Sequence, residues 1–241
     1  MRIAILSDIH GNLTALKAVQ ADLRDAAPDL ILHGGDLADG GSSPAEVVDT
    51  LRESGCAGVM GNGDEMLARP AALEEFAECS AGNSAMWDVV RSMAASTRER
   101  LGDERLAWLA SHPYQVVIPE LALVHATPAS CWRAAPPNAS EADLEVIYAP
   151  LERSCVVFGH THVPSVRTLG GVVSTLINCG SVGLPFDGDP RASYLLFTAG
   201  RPLIRRVPYD VEAECDRLRV SGLPAFAWTA AMLRAASPRL P

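Results

Sequence analysis

Apolar positions follow two rhythms over the opening part of the chain. Residues 2–7 (Arg-Ile-Ala-Ile-Leu-Ser) form a continuous run of buried-strand length, after which Leu13, Leu16, Val19 and Leu23 recur at helical spacing up to Pro28. Leu30-Ile31-Leu32 repeats the strand signal and stops at Gly34-Gly35. Ser43, Pro44 and Glu46 have capping-box spacing with proline at the first helical position, which predicts a helix from 44 onward. Residues 57–60 are a third short strand running into Gly61-Asn62-Gly63-Asp64. Strand, helix, strand, helix, strand predicts parallel pairing with right-handed crossovers.

Residues 65–112 break this rhythm. They are rich in Ala, Glu and Arg, poor in β-branched residues, and predict two or three helices with Gly82-Asn83 between them: a helical cap inserted over the sheet. Strand signals return at 115–118, 121–125, 155–158, 172–178, 194–198 and 203–207, interrupted by one helix capped by Ser140. Two amphipathic helices, at about 210–220 and 225–236, close the chain. There is no internal repeat. The expectation is a single α/β domain over 1–241 whose polar motifs sit at strand ends, where open sheets place ligands.

Composition narrows the function classes. The chain has 241 residues, 48% hydrophobic, with 19 glycines and 17 prolines, which excludes a disordered chain and a coiled coil. A net charge of −9 argues against a broad basic surface for long nucleic acid or a membrane face. The first apolar run ends in charged residues and glycine, so it reads as a strand rather than a signal peptide, and no stretch has membrane-span length. Six dispersed cysteines without a C-x-x-C pair predict reduced thiols in a cytoplasmic protein.

The chemistry lies where the strands stop. Asp8 and His10 follow the first run, Asp36 the second and Asn62 the third; His125 ends 121–125, and His160 and His162 follow 155–158. Singly, each is ordinary, since Gly-Asp and Gly-Asn pairs are turn chemistry. As an ordered set after apolar strands, these imidazoles, carboxylates and one amide suit borderline or hard dications: Mn, Fe, Co, Ni or Zn. Seven donors exceed the needs of one ion, and two ions sharing a carboxylate account for them.

The ordered D-x-H, G-D, G-N-x-D, H and G-H-x-H series resembles the calcineurin-like metallophosphoesterase superfamily, and its small bacterial phosphodiesterase branch in particular. The segment 177–194, Ile-Asn-Cys-Gly-Ser-Val-Gly-Leu-Pro onward, is similar to that branch as well. The resemblance covers about 1–210. It implies a four-layer αββα sandwich with a dinuclear centre at one edge, one metal on Asp8, His10 and His162 and the other on Asn62, His125 and His160, with Asp36 bridging. Asp36 and Asn62 would then be catalytic, with a hydroxide between the metals attacking phosphorus. Many members have histidine where this chain has Gly63, so the expected substrate is a small phosphodiester or nucleotide whose leaving oxygen needs little protonation.

Other residues carry weaker expectations. Arg133 is a candidate phosphate contact, while Trp132 reads as packing or as a base-stacking ring. Asp64 reads equally as a support for the ligands or a turn carboxylate, His33 as a core histidine, His112 as a helix end, and Asn12 as a helix cap. The Ser181-Val182-Gly183 turn is expected to support the metal edge with its backbone. Alternatives are a dinucleoside polyphosphate hydrolase and, as in the retromer small subunit, a non-catalytic scaffold. Oligomeric state is not legible.

Overall fold

The computed structural model describes residues 1–80 and 84–241. The Gly82-Asn83 break expected between helices lies outside the described residues. The strands are β1 (Arg2–Leu6), β2 (Leu30–His33), β3 (Ala57–Gly58), β4 (Gln115–Val117), β5 (Ala122–Val124), β6 (Cys155–Phe158), β7 (Ser165–Thr168), β8 (Thr175–Asn178), β9 (Ala192–Thr198) and β10 (Arg201–Val207). The helices are α1 (Leu13–Ala26), α2 (Pro44–Glu53), α3 (Asn62–Ala68), α4 (Ala71–Glu78), α5 (Ser84–Ala110), α6 (Glu141–Tyr148), α7 (Val211–Val220) and α8 (Phe226–Ala235).

Two mixed sheets face each other. One runs β10-β9-β1-β2-β3 and the other β4-β5-β6-β8-β7. β1, β2 and β3 are mutually parallel, as are β5, β6 and β8; antiparallel pairing adds β9 and then β10 on one side of the first sheet, whose other edge is β3, and adds β4 and β7 at the two edges of the second. Ile3, Ile5 and Leu32 point inward from the first sheet against Leu123, Val157 and Ile177 of the second, all at most 3% exposed. Each such side chain stabilises the sandwich by roughly 1.5–3 kcal/mol on transfer from water. The alternate residues face out: Ala4 and Leu6 pack on α1 and α2, and Val124 and Val156 pack on Leu144 and Tyr148 of α6. The result is the αββα sandwich.

The inserted helices begin at Asn62, three residues earlier than composition indicated. They extend the outer helical layer: Met66, Leu67, Leu101 and Leu109 share one apolar cluster with Val47, Val48 and Leu51 of α2. α5 is broken at Gly102, which takes φ 68°. Two local expectations differ from the structure. Ser43 precedes α2 but makes no capping hydrogen bond; its hydroxyl lies 3.2 Å from that of Ser42. β7 was not expected because it is a largely exposed edge strand of mixed polarity. Ser140 does cap α6, accepting from the Asp143 N–H. No described helix is long and apolar enough to cross a membrane.

Candidate metal centre

The C-terminal ends of parallel strands from both sheets meet at one edge. Register does this: Leu6 pairs with His33, and the loops beyond stay zipped, with Asp8 N–H donating to Gly35 O and His10 N–H to Asp36 O at 2.9 and 3.0 Å. The sheets are tied there by His125 Nδ1, which donates to Gly34 O at 2.7 Å. Asp8, His10, Asp36, His160 and His162 all have φ between 48° and 63°. This backbone region is sparsely used outside glycine, and such strain persists only where the surroundings enforce it.

All seven expected donors converge, in two groups sharing Asp36: Asp8, His10, Asp36 and His162, and Asp36, His125 and His160. Asn62 joins the second group, its Oδ1 lying 2.8 Å from His160 Nδ1 and 3.0 Å from His125 Nε2. His162 Nε2 is 3.2 Å from Asp8 Oδ1, and His125 Nε2 is 3.4 Å from Asp36 Oδ2.

The tautomers show what this arrangement suits. His10 Nδ1 lies against two oxygens of Asp39, at 3.1 and 3.2 Å, and His162 Nδ1 lies 2.6 Å from Leu184 O. Both Nδ1 atoms therefore donate, and the two Nε2 atoms face each other at 3.1 Å. Two ring nitrogens so placed share a cation, either a proton, which Asp39 favours on His10, or a metal ion that takes its place. Ligands about 2.1 Å from one ion at right angles are about 3 Å apart. The outward Nδ1–H···O=C bonds are the usual way an imidazole is aimed at a metal.

Electrostatics agree. Burial alone would lower the His10 and His125 pKa values, but Asp39 beside the first and Asp36 beside the second raise them to about 10 and about 9. Burial would raise both carboxyls, yet His162 holds Asp8 below, and His125 and His10 hold Asp36 below, the ordinary carboxylate range. His160 is pushed down to about 4 by burial and the His125 charge. The site is a buried cleft whose carboxylates favour positive charge on the groups beside them.

The sequence profile of the calcineurin-like phosphoesterase superfamily domain matches residues 1–201. The chain belongs to this superfamily. It is 30% identical to an uncharacterized protein of Methanocaldococcus jannaschii over 93% of this chain and 94% of that one. Among solved structures it resembles a metallophosphoesterase from Sphaerobacter thermophilus, with TM-score 0.79 and 30% identity over 98% and 99% of the two chains. It also shares the fold of a hypothetical protein from Pyrococcus horikoshii, with TM-score 0.83 and 18% identity over 99% of each. Calcineurin-like phosphoesterases bind divalent metals and hydrolyse phosphate esters, and the buried Asp/His cluster is where this chain would hold such ions.

Within this phosphoesterase fold, several further residues hold the ligand loops. Asp64 accepts from the N–H groups of Asp36, Leu37 and Gly61 at 2.8, 2.9 and 3.1 Å, so it clamps two ligand loops together. Burial and the Asp36 charge still push its carboxyl up to about 7. Asn12 caps α1 and also donates to Gly183 O at 2.9 Å. Gly183 itself must lack a side chain, because a Cβ there would lie 1.8 Å from Ile9 O. The 181–183 turn supports the metal edge with its backbone, as expected, Val182 N–H donating to Ser7 O and Gly183 N–H to Asp8 O at 2.9 and 3.0 Å, and the Ser181 hydroxyl adds a bond to Asp8 O at 2.6 Å. Asn178, at the end of β8, holds the His160 loop through Gly159 O and Thr161 Oγ1. Sequence reading noted its motif without its role.

The remaining candidates sit apart. Arg133 is exposed, its guanidinium 5.1 Å from the Phe76 ring centroid on α4. Trp132 is held in packing, its Nε1–H donating to Glu65 at 2.6 Å. His33 is fully buried against His112 and Trp108, and His112 closes the turn after α5. At position 63, where many of these phosphoesterases carry histidine, the N–H of Gly63 donates to Asp36 Oδ1 at 2.7 Å. The space beside it is taken by the Asp39 carboxylate, 2.2 Å from where a Cβ would stand.

Proposed function

We propose that this protein is a phosphodiesterase that uses two divalent cations to hydrolyse small phosphodiesters or nucleotides. The observation that carries the reading is the pair of donor groups sharing Asp36. Bound metals would lower the pKa of water and polarise phosphoryl oxygens. The chain's own part is positional. Asp8, His10 and His162 would hold one cation and Asn62, His125 and His160 the other, with Asp36 between them. Asp8 and Asp36 contribute only two negative charges, so two dications leave the cleft positive and able to hold a phosphate anion.

Diester preference follows from position 63. Gly63 supplies no imidazole to protonate a leaving oxygen, which favours substrates whose leaving group departs unassisted. A dinucleoside polyphosphate, which expels a phosphate, meets the same condition and is the second reading. Arg133 would serve as a phosphate contact only after leaving Phe76. We take 1–241 as one functional unit with 65–112 as its insertion, and the unpaired cysteines as a mark of a reducing cytoplasm.

The test is a metal-reconstituted assay of bis-aryl phosphate, aryl phosphate and dinucleoside polyphosphates, with elemental analysis of bound metal. Two ions per chain and faster diester than monoester turnover are expected. Monoester preference overturns the diester reading, and absence of both metal and turnover supports a scaffold.

A further inference from the structure

A cavity of about 280 Å³ opens beside the metal centre, with His10 and His162 forming part of its wall. Asp39 and Gly40, the C-terminal Pro238 and Arg239, and three apolar regions line the rest. Leu184 and Phe186 come from the segment after the 181–183 turn, Met66 and Met93 from α3 and α5, and Trp228 and Met232 from α8. The Phe186 ring stacks on His162 with centroids 4.4 Å apart, which makes one ligand imidazole continuous with the apolar wall. Trp228 Nε1–H donates to Arg239 O at 2.8 Å, and this bond holds the C-terminal segment along the cavity.

Away from the metal ligands, one buried polar side chain faces the cavity from α8. Thr229 is 4% exposed, and its hydroxyl has no hydrogen-bond partner. A buried hydroxyl without a partner costs about 1–3 kcal/mol, a cost that a ligand atom can remove.

Building on the phosphodiesterase reading, we infer that this cavity binds one ester group of the substrate, and that the group is a compact aryl ring system. Position supports this: His10 and His162, which would hold one cation beside the reacting phosphate, form part of the cavity wall. Size supports it too. A cavity of about 150 Å³ accepts benzene, so this one accepts one or two fused rings and has no room for a dinucleotide. Chemistry disfavours a nucleobase, whose several polar edge atoms would meet a wall made mostly of thioethers, rings and aliphatic side chains, with Asp39, Thr229 and Arg239 its polar members away from the two imidazoles. An aryl group with at most one polar substituent, placed to meet Thr229, would pair that hydroxyl.

The test uses diesters with one common leaving group, p-nitrophenolate, and methyl, phenyl, naphthyl or thymidin-5′-yl as the second ester. Phenyl and naphthyl esters should exceed the methyl ester in kcat/KM by at least ~10-fold, the lower end of what one methylene contributes in an apolar pocket. Equal values for methyl and phenyl, or a preference for thymidinyl, overturn the inference. Met232→Trp should fill the cavity and collapse the phenyl-to-methyl ratio.

A binding measurement on the wild-type protein stands apart from turnover and from the folding of that variant. The chain has six methionines. With their methyl groups labelled with carbon-13, phenylphosphonate should shift the Met66, Met93 and Met232 resonances and leave Met1 in place. Those shifts without turnover of any diester would support the cavity while refuting the phosphodiesterase reading. Diester turnover with neither shifts nor aryl preference would refute the cavity alone.

Discussion

Asp36 belongs to both donor groups, so its removal should undo both. Asp36→Asn is expected to abolish measurable diester turnover and to lower metal stoichiometry, checked by steady-state assay and elemental analysis; wild-type turnover with two bound metals would refute the bridging role. Asp64 touches no other side chain of the donor set but accepts from three backbone N–H groups of the ligand loops. Asp64→Ala should therefore weaken metal binding by about 10–100-fold, as loss of an outer partner does, and competitive chelator titration would measure it. His33 supplies a pH effect away from the centre. Its pKa lies well below the ordinary value because it is buried and faces the His112 charge. Below about pH 6.5 the unfolded chain binds a proton that the folded chain does not, so stability falls as pH falls, by about 1.4 kcal/mol per unit for this group. His33→Leu should flatten that slope in urea unfolding between pH 6.5 and 5. The donor residues were legible because each abuts an apolar run. The clamping role of Asp64 was not, because nothing local shows which N–H groups its carboxylate will meet.

At the scale of elements, the ligand loops depend on close backbone approach. The 181–183 turn lies against the end of β1, where Gly183 N–H donates to Asp8 O and Val182 N–H to Ser7 O. Gly183→Ala would drive a Cβ into Ile9 O and push the turn off Asp8. Overpacking of this kind costs about 1–3 kcal/mol; a lowered Tm together with weaker metal binding is the expected result, and an unchanged Tm would contradict the contact. Most elements were legible from periodicity, including β6 and the α1 pattern of Leu13, Leu16, Val19 and Leu23. β7 was hidden because an exposed edge strand needs no apolar alternation. The Ser43 cap failed because its spacing signal says nothing of where the hydroxyl turns, and Ser42 takes it.

At the scale of the molecule, two sheets must stay in register for their strand ends to meet. Ile177 lies between them, fully buried. Ile177→Ala should cost about 2–5 kcal/mol in denaturant unfolding, and a loss below 1 kcal/mol would mean that the inter-sheet core can collapse around the gap. The sequence by itself determined the donor types, their order and the α/β class, since these follow from local pattern and composition. Tertiary structure alone decided which donors share Asp36, that Arg133 rests on Phe76, and that α8 helps wall an apolar cavity beside His162. The physical reason is distance along the chain. His125 meets Gly34 across 91 positions and His162 meets His10 across 152, and such contacts are fixed by sheet register and core packing, which no local pattern encodes.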